Sequence, residues 1–265
     1  MRIVSNTIVY NEENFVWYAL MSIAPYVDKM LVWDTGSTDK TAEIIKEFKK
    51  QYKEKVVFKQ LGFVDRFKFT KVRQQMLDQS DGDWVLILDG DEVWWKESIK
   101  TLVKTIQDKG LFLDSITVPF YNAVGDIYHV QDENAGRYKI LDKEGHLTIR
   151  AFNKKIPGVH VVNPYGSEGF FDGDNCPIQS RDSKRQLYLD SPFFHLTHLR
   201  RSSKNQKVNK YKYDLGKSLP EKMNIPEVFK INAPSLVPSP LIKRSKTYKL
   251  ISTFLWPLQV VKRSI

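Results

Sequence analysis

The chain has 265 residues, of which 42% are hydrophobic and 27% charged, and a formal net charge of +10. A chain of this size and composition buries a large core, which excludes disorder throughout, a collagen-like chain and a polytopic membrane protein. The charge is uneven: residues 200–265 hold 15 of the 41 Lys and Arg but 3 of the 31 Asp and Glu, which implies either a solvated tail or a polyanionic partner, membrane or nucleic acid.

Cys176 is the single cysteine, so no intrachain disulfide can form and a reducing, cytoplasmic compartment is expected. The opening MRIVSNTIVYNEEN lacks the apolar core and cleavage site of a secretory signal.

In chain order, Arg2–Tyr10 reads as a strand. Asn11 follows as a helix cap, with Glu12 and Glu13 in the first turn, where a helix dipole favours carboxylates. That helix runs through Phe15–Ile23 and stops at Pro25. Met30–Trp33 is a second strand, Gly36–Thr38 a turn, and Lys40–Lys50 a helix with Ile44, Ile45 and Phe48 on one face. Lys55–Phe58, Thr70–Gln79 and Trp84–Leu88 continue as strand, helix and strand. Trp95, Ile99, Leu102, Val103 and Ile106 then mark a helical face. Further on, Ser115–Phe120 and His146–Phe152 read as strands and Asn122–Glu144 as a polar loop. From about Arg201 the composition turns basic and proline-interrupted, so residues 1–200 are expected as the catalytic domain and 201–265 as a basic C-terminal extension, with a helix or two ahead of a linker and terminal segment.

Short strands, mostly apolar and not alternating, between helices predict an α/β fold, a doubly wound and mostly parallel sheet flanked by helices. Ligands of such sheets bind beyond the carboxyl ends of the strands. That places chemistry at Tyr10–Glu12, Asp34–Ser37 and Asp89–Glu92.

Asp89-Gly90-Asp91-Glu92 crowds three carboxylates at the end of the apolar run WVLIL. Such crowding needs a cation or hydrogen-bond donors to offset it, and hard divalent ions take oxygen ligands together with substrate phosphates. Two enzyme classes use Asp-x-Asp after such a strand: haloacid-dehalogenase-like phosphatases, with Asp89 as nucleophile, and glycosyltransferases of the GT-A fold. The phosphatase pattern opens its domain on the first strand, whereas at least three strands precede the one that ends at Asp89 here. A basic nucleic-acid-binding protein is the non-enzyme alternative; it calls for a basic stripe across the domain, and the excess charge here is confined to the tail.

Three segments in order, IVYNEEN, VWDTGSTDKT and GDWVLILDGDE, resemble the family 2 glycosyltransferases of the GT-A fold. The resemblance implies transfer of a sugar from a nucleotide-diphosphate sugar to an acceptor hydroxyl, with inversion and with Mn²⁺ or Mg²⁺. It implies that Tyr10 and Asn11 flank the base, Asp34 accepts from a pyrimidine N–H, Arg73 neutralises a phosphate, Asp89 lies near the ribose and Asp91 holds the metal. HLTIRAFNKKIPGVHVV resembles a downstream stretch of the family through Arg150, Phe152, Gly158 and His160, but Val161 stands where a Glu is expected. His160 and Glu168 are therefore the candidate bases. In SPFFHLTHLRRS the family position of a further metal ligand falls on His195, with His198 as alternative.

TYKLISTFLWPLQVVKRSI ends the chain; its uncharged run Leu250–Val261 contains Pro257 and is too short to span a bilayer. It reads as an interfacial anchor on the cytoplasmic membrane face or as a segment docked on the domain. The acceptor is then lipid-linked or membrane-proximal in the first case, and an unknown glycan or protein otherwise.

Overall fold

The computed structural model describes residues 1–204, 213–220 and 223–264. The first half is β1 (Ile3–Val9), α1 (Val16–Ile23), β2 (Lys29–Asp34), α2 (Thr41–Gln51), β3 (Val56–Gln60), α3 (Lys68–Asp78), β4 (Trp84–Ile87), β5 (Glu92–Trp94) and α4 (Lys96–Lys109). Strands β3, β2, β1 and β4 lie side by side and parallel.

Their side chains alternate between two apolar layers, as the period of a strand requires. Met30 and Val32 of β2 pack with α1 and α2 through Leu20, Ile23, Ile44 and Phe48. Leu31 and Trp33 face the other way, onto Val72 and Met76 of α3. A sheet buried on both faces has little room for polar alternation, which is why β2 and β4 read as mostly apolar runs, whereas β1 buries Ser5, Asn6 and Thr7 in its middle. On α4, Ile99, Leu102 and Ile106 are fully buried, and each such side chain contributes about 1.5–3 kcal/mol of burial energy.

The second half is β6 (Ser115–Val124), β7 (Asp126–Val130), β8 (Tyr138–Ile140), β9 (Lys143–Gly145), β10 (Leu147–Asn153), β11 (His160–Val162), β12 (Gly169–Phe171), β13 (Gln186–Tyr188), β14 (Phe193–His195), β15 (Lys217–Ser218) and α5 (Lys246–Ser264). The sheet continues from β4 through antiparallel β10 to β6, β7 and β15. Strand β14 pairs with β6 and with β5, setting His195 opposite Glu92.

Two expectations are corrected. Asn11 does not cap α1: its φ is +53°, and the helix begins at Val16, after a turn in which Glu12 O accepts from Phe15 N and Val16 N. Asn11 instead ties two loops together, its side-chain Oδ1 accepting from Thr38 N at 2.7 Å while its backbone N–H donates to Ser37 Oγ at 2.8 Å. The interval Asn122–Glu144 is not a loop but carries the end of β6, β7 and the β8–β9 hairpin.

The chain after residue 200 contributes to the core. Val228, Phe229 and Val237 are buried, Trp95 Nε1 donates to Asn224 O at 2.7 Å, and Phe229 meets Tyr18 edge-on at 5.3 Å. Among the described residues of this segment, an irregular stretch with one short turn at Glu227–Lys230 precedes the helix α5. Part of the basic segment, 205–212 and 221–222, lies outside the described residues.

Candidate functional site

The register Val9–Asp34 and Asn6–Ile87 brings the carboxyl ends of β1, β2 and β4 to one rim. A cavity of about 570 Å³ opens there. Tyr10, Glu12, Thr35, Arg73, Asp89, Asp91, Glu168, His195 and Arg201 line it. Phe63 and Tyr165, on the 61–67 and 164–168 segments, form its lip, and these segments meet through Tyr165 N donating to Arg66 O at 3.0 Å.

The lip is set by Gly36. Its φ is +98°, and a Cβ there would lie 2.8 Å from the Phe63 backbone nitrogen. Only glycine allows both that conformation and that approach. Gly90 serves a similar need inside the cavity: a Cβ would lie 2.9 Å from the Glu12 side chain.

Of the residues singled out in the sequence, Tyr10, Arg73, Asp89, Asp91, Glu168 and His195 meet in this cavity. Asn11, Asp34 and His160 are not in its lining. Asp34 is buried at the end of β2, its Oδ1 accepting from Ser37 N at 3.0 Å, one residue before the lining Thr35. His160 sits on β11 with Nδ1 2.9 Å from Gly158 O. His198 is buried and also outside the lining.

Asp91 is the centre of the charge arrangement. Its Oδ1 lies 3.6 Å from His195 Nε2, and its Oδ2 lies 3.6 Å from Arg201 Nη1. Burial works against a charged His195, and the Asp91 carboxylate, as charge and as hydrogen-bond partner, outweighs it, so the imidazole pKa lies above its ordinary value. Arg201 also pairs with Glu12 Oε1 at 2.5 Å. Burial, reinforced by the Asp91 charge, pushes the Glu12 carboxyl well above the usual carboxylate range.

Behind Asp91, Glu92 is fully buried and pairs with Arg150 of β10. Burial raises the Glu92 pKa to about 7 against the pull of Arg150. Arg150 also reaches Asp89 Oδ2 at 3.4 Å. Arg73 lies 3.8 Å from Glu168 Oε1, and its guanidinium rests 5.1 Å over the Phe69 ring. Asp89, Arg73 and Glu168 line both this cavity and a neighbouring one of about 420 Å³, bounded by Tyr138, Ile140, Arg150 and Gln179.

Arg201 and Tyr165 are lining residues that sequence reading did not assign to the site, and Glu12 fell in the Tyr10–Glu12 stretch without a role of its own. Glu12 looks like a helix-start carboxylate in the sequence. Arg201 was legible only as the first of a basic tract; its partner stands 189 positions earlier.

Asp91 and His195 are the side chains here that could hold a divalent cation. A carboxylate oxygen and an imidazole nitrogen, on Asp91 and His195, face each other across the cavity wall. Among the described residues no third His, Cys, Asp or Glu joins them as a cluster. A cation here would complete its shell from water and from phosphate oxygens of a substrate.

Comparison with known proteins gives one family. The profile "Glycosyl transferase family 2" matches residues 7–163. No curated protein matches the chain in sequence. Among solved structures, Staphylococcus aureus TarS 1-349 in complex with UDP-GlcNAc is similar with a TM-score of 0.52 and 16% identity, covering 74% of this chain and 58% of that one. The Pyrobaculum calidifontis mannosyltransferase PcManGT, in complex with GDP-Man and Mn²⁺, gives a TM-score of 0.46 at 15% identity, over 74% of this chain and 57% of that one. The Mycobacterium tuberculosis glucosyl-3-phosphoglycerate synthase, with Mn²⁺ and UDP-glucose, gives 0.44 at 16% identity, over 73% and 71%. This chain therefore spans less than two thirds of the TarS and PcManGT chains, and the likeness to TarS is one of GT-A fold.

Proposed function

The chain belongs to glycosyl transferase family 2, and on that premise we propose that it moves a sugar from a nucleotide-diphosphate sugar to an acceptor hydroxyl, with inversion and with Mn²⁺ or Mg²⁺. The observation that carries this reading is the meeting of Asp89, Asp91, His195, Arg73 and Arg201 in one cavity at the carboxyl rim of the parallel strands. Carboxylates for a cation and guanidinium groups for phosphates are what a nucleotide diphosphate needs.

Asp91 and His195 would hold the cation, which when bound supplies charge stabilisation for the departing diphosphate. Arg201 and Arg73 add fixed positive charge at the same wall. Tyr10, 44% exposed at the rim, offers a ring face to a base, and Asp89 is placed for the ribose. Asp34 and Asn11 lie outside the lining and act here by setting the β1 and β2 loops that shape the base pocket.

Glu168 is the better base of the two considered. It stands between the donor cavity and the neighbouring one, so an acceptor in the second cavity presents its hydroxyl to Glu168 while facing the donor in the first. Arg73, 3.8 Å from Glu168 Oε1, holds the carboxylate at this junction, where it would take the acceptor's proton. His160 lines neither cavity.

Residues 1–200 supply most of this site and 201–265 the basic extension, with Arg201 reaching back from the extension into the cavity. The same reading puts the chain in the cytoplasm, at the inner face of a membrane, with a lipid-linked or membrane-proximal acceptor. Its lone cysteine and its basic C-terminal quarter support that placement.

The test is a thermal-shift panel of UDP, GDP and ADP with and without Mn²⁺, since a ligand specific to the native state raises the melting temperature by mass action. A nucleotide-selective rise that requires Mn²⁺ supports the reading. Equal response to every nucleotide, with no effect of Mn²⁺, overturns it.

A further inference from the structure

We propose that the outward face of α5 docks on a bilayer bearing anionic lipid headgroups. The inference deepens the membrane-proximal placement given above, but it stands on α5 alone and not on the donor cavity.

Helix α5 has two faces. Tyr248 and Ser252 are buried on the inner one, and Gln259 Nε2 donates to Tyr213 O at 2.6 Å. The Tyr248 hydroxyl accepts from Asp214 N and donates to Asp214 O, both at 3.1 Å. Asp214 Oδ2 in turn accepts from Gln131 Nε2, just past β7, at 3.2 Å. Gly125, at the β6–β7 turn with φ +76°, admits the Tyr248 ring where a Cβ would lie 2.5 Å from it. The helix is thus fastened to the sheet edge in one orientation.

The outer face is apolar. Leu250, Phe254, Leu258 and Val261 recur at helical spacing and are 62%, 75%, 68% and 59% exposed. Ile242, 72% exposed, extends the surface ahead of the helix. Single exposed apolar residues are ordinary, but a continuous stripe marks an interaction surface.

Charge selects the occupant. Lys243, Lys246 and Lys249 are exposed beside the start of the stripe, Lys262 and Arg263 follow it in sequence, and residues 241–265 contain no Asp or Glu. An apolar stripe flanked only by cations suits the headgroup boundary of an anionic bilayer, where apolar side chains insert and lysines reach up to phosphates. A second copy of this helix would bring like charges together. A nucleic acid would use the lysines and leave Phe254 and Leu258 without a role. Among the described residues no helix is long and apolar enough to cross a membrane, so α5 lies along the surface.

Sedimentation of the full chain with vesicles of phosphatidylcholine, or of an equimolar phosphatidylcholine–phosphatidylglycerol mixture, tests this. Partition into the mixed vesicles should exceed that into phosphatidylcholine by about tenfold or more and fall with added salt. The double variant Phe254→Glu/Leu258→Glu should lower it by about tenfold or more, with unchanged circular dichroism and melting temperature, because both side chains already face solvent. Equal partition of variant and wild type, no binding to mixed vesicles, or a dimer that the double variant dissociates would each overturn the proposal. Nucleotide binding is measured separately on the same protein, so loss of the donor reading leaves this result intact.

Discussion

His195 Nε2 lies 3.6 Å from Asp91 Oδ1, although the two residues are over a hundred positions apart. Strand β14 makes the approach by pairing with β5, which follows Asp91 directly. Asp91→Asn keeps the shape and removes the charge. It should abolish the Mn²⁺-dependent part of nucleotide binding in calorimetry, while the circular dichroism spectrum is retained. Undiminished Mn²⁺ dependence would show that the cation is held elsewhere.

Glu168→Gln should separate binding from chemistry. Loss of a general base lowers kcat by about 10²–10⁴-fold, while donor affinity stays near wild type. His160→Gln should leave kcat nearly unchanged, since His160 lines neither cavity. The reverse pattern would move the base to His160.

Arg150 and Glu92 test the support beneath the site. Their side chains are 13% and 0% exposed. Arg150→Met leaves Glu92 buried without its partner, and breaking such a pair costs about 3–5 kcal/mol. Urea unfolding should register the loss, and adding Glu92→Gln should recover part of it. A single variant as stable as wild type would mean that Glu92 finds its compensation elsewhere.

Asp172 gives a pH dependence away from the site. The Cys176 N–H, and the Arg181 guanidinium with it, hold its carboxyl below the usual range against the opposing effect of burial. A carboxylate with a depressed native pKa contributes stability that is present above its unfolded pKa, about 3.9, and lost as pH falls through the native value. Wild type should therefore lose stability relative to Asp172→Asn as the pH drops below about 4. A difference that does not change with pH would remove Asp172 from the acid transition.

Gly36→Ala probes the cavity lip. The new methyl group would meet the Phe63 backbone at 2.8 Å in a left-handed conformation. Strain of that kind costs on the order of 1–3 kcal/mol, and displacement of the 61–67 segment should weaken nucleotide binding as well. Unchanged affinity together with unchanged stability would show that the lip adjusts freely.

The strands ending near Asp34 and Asp89 were legible because a strand buried on both faces leaves a mostly hydrophobic signature, and the one ending near Tyr10 showed it at both ends, around Ser5, Asn6 and Thr7. Those same ends located the rim of the cavity. The β8–β9 hairpin was not legible: Tyr138, Lys139, Lys143 and Glu144 are exposed, and a hairpin with no buried face has no alternation to read. Asn11 was misread because Asn followed by Glu12 and Glu13 is also how a helix begins. The Arg201–Glu12 pair was hidden by distance along the chain, as sequence patterns report neighbours within a few turns and not contacts across the fold.

The crossing of residues 200–203 over the loop that leads into α1 bears on how this protein can vary. Asn14 N donates to Arg201 O and Glu13 Oε1 accepts from Ser203 N, so this strap is stitched to the loop that carries Glu12. A hybrid joining the first 200 residues to another tail would forfeit the guanidinium beside Asp91 along with the stitching. Recombination at that point is therefore disfavoured even though the composition changes there. Arg201 and Ser203 thus belong with the cavity and not with the tail, and substitutions there should be judged by what they do to nucleotide binding.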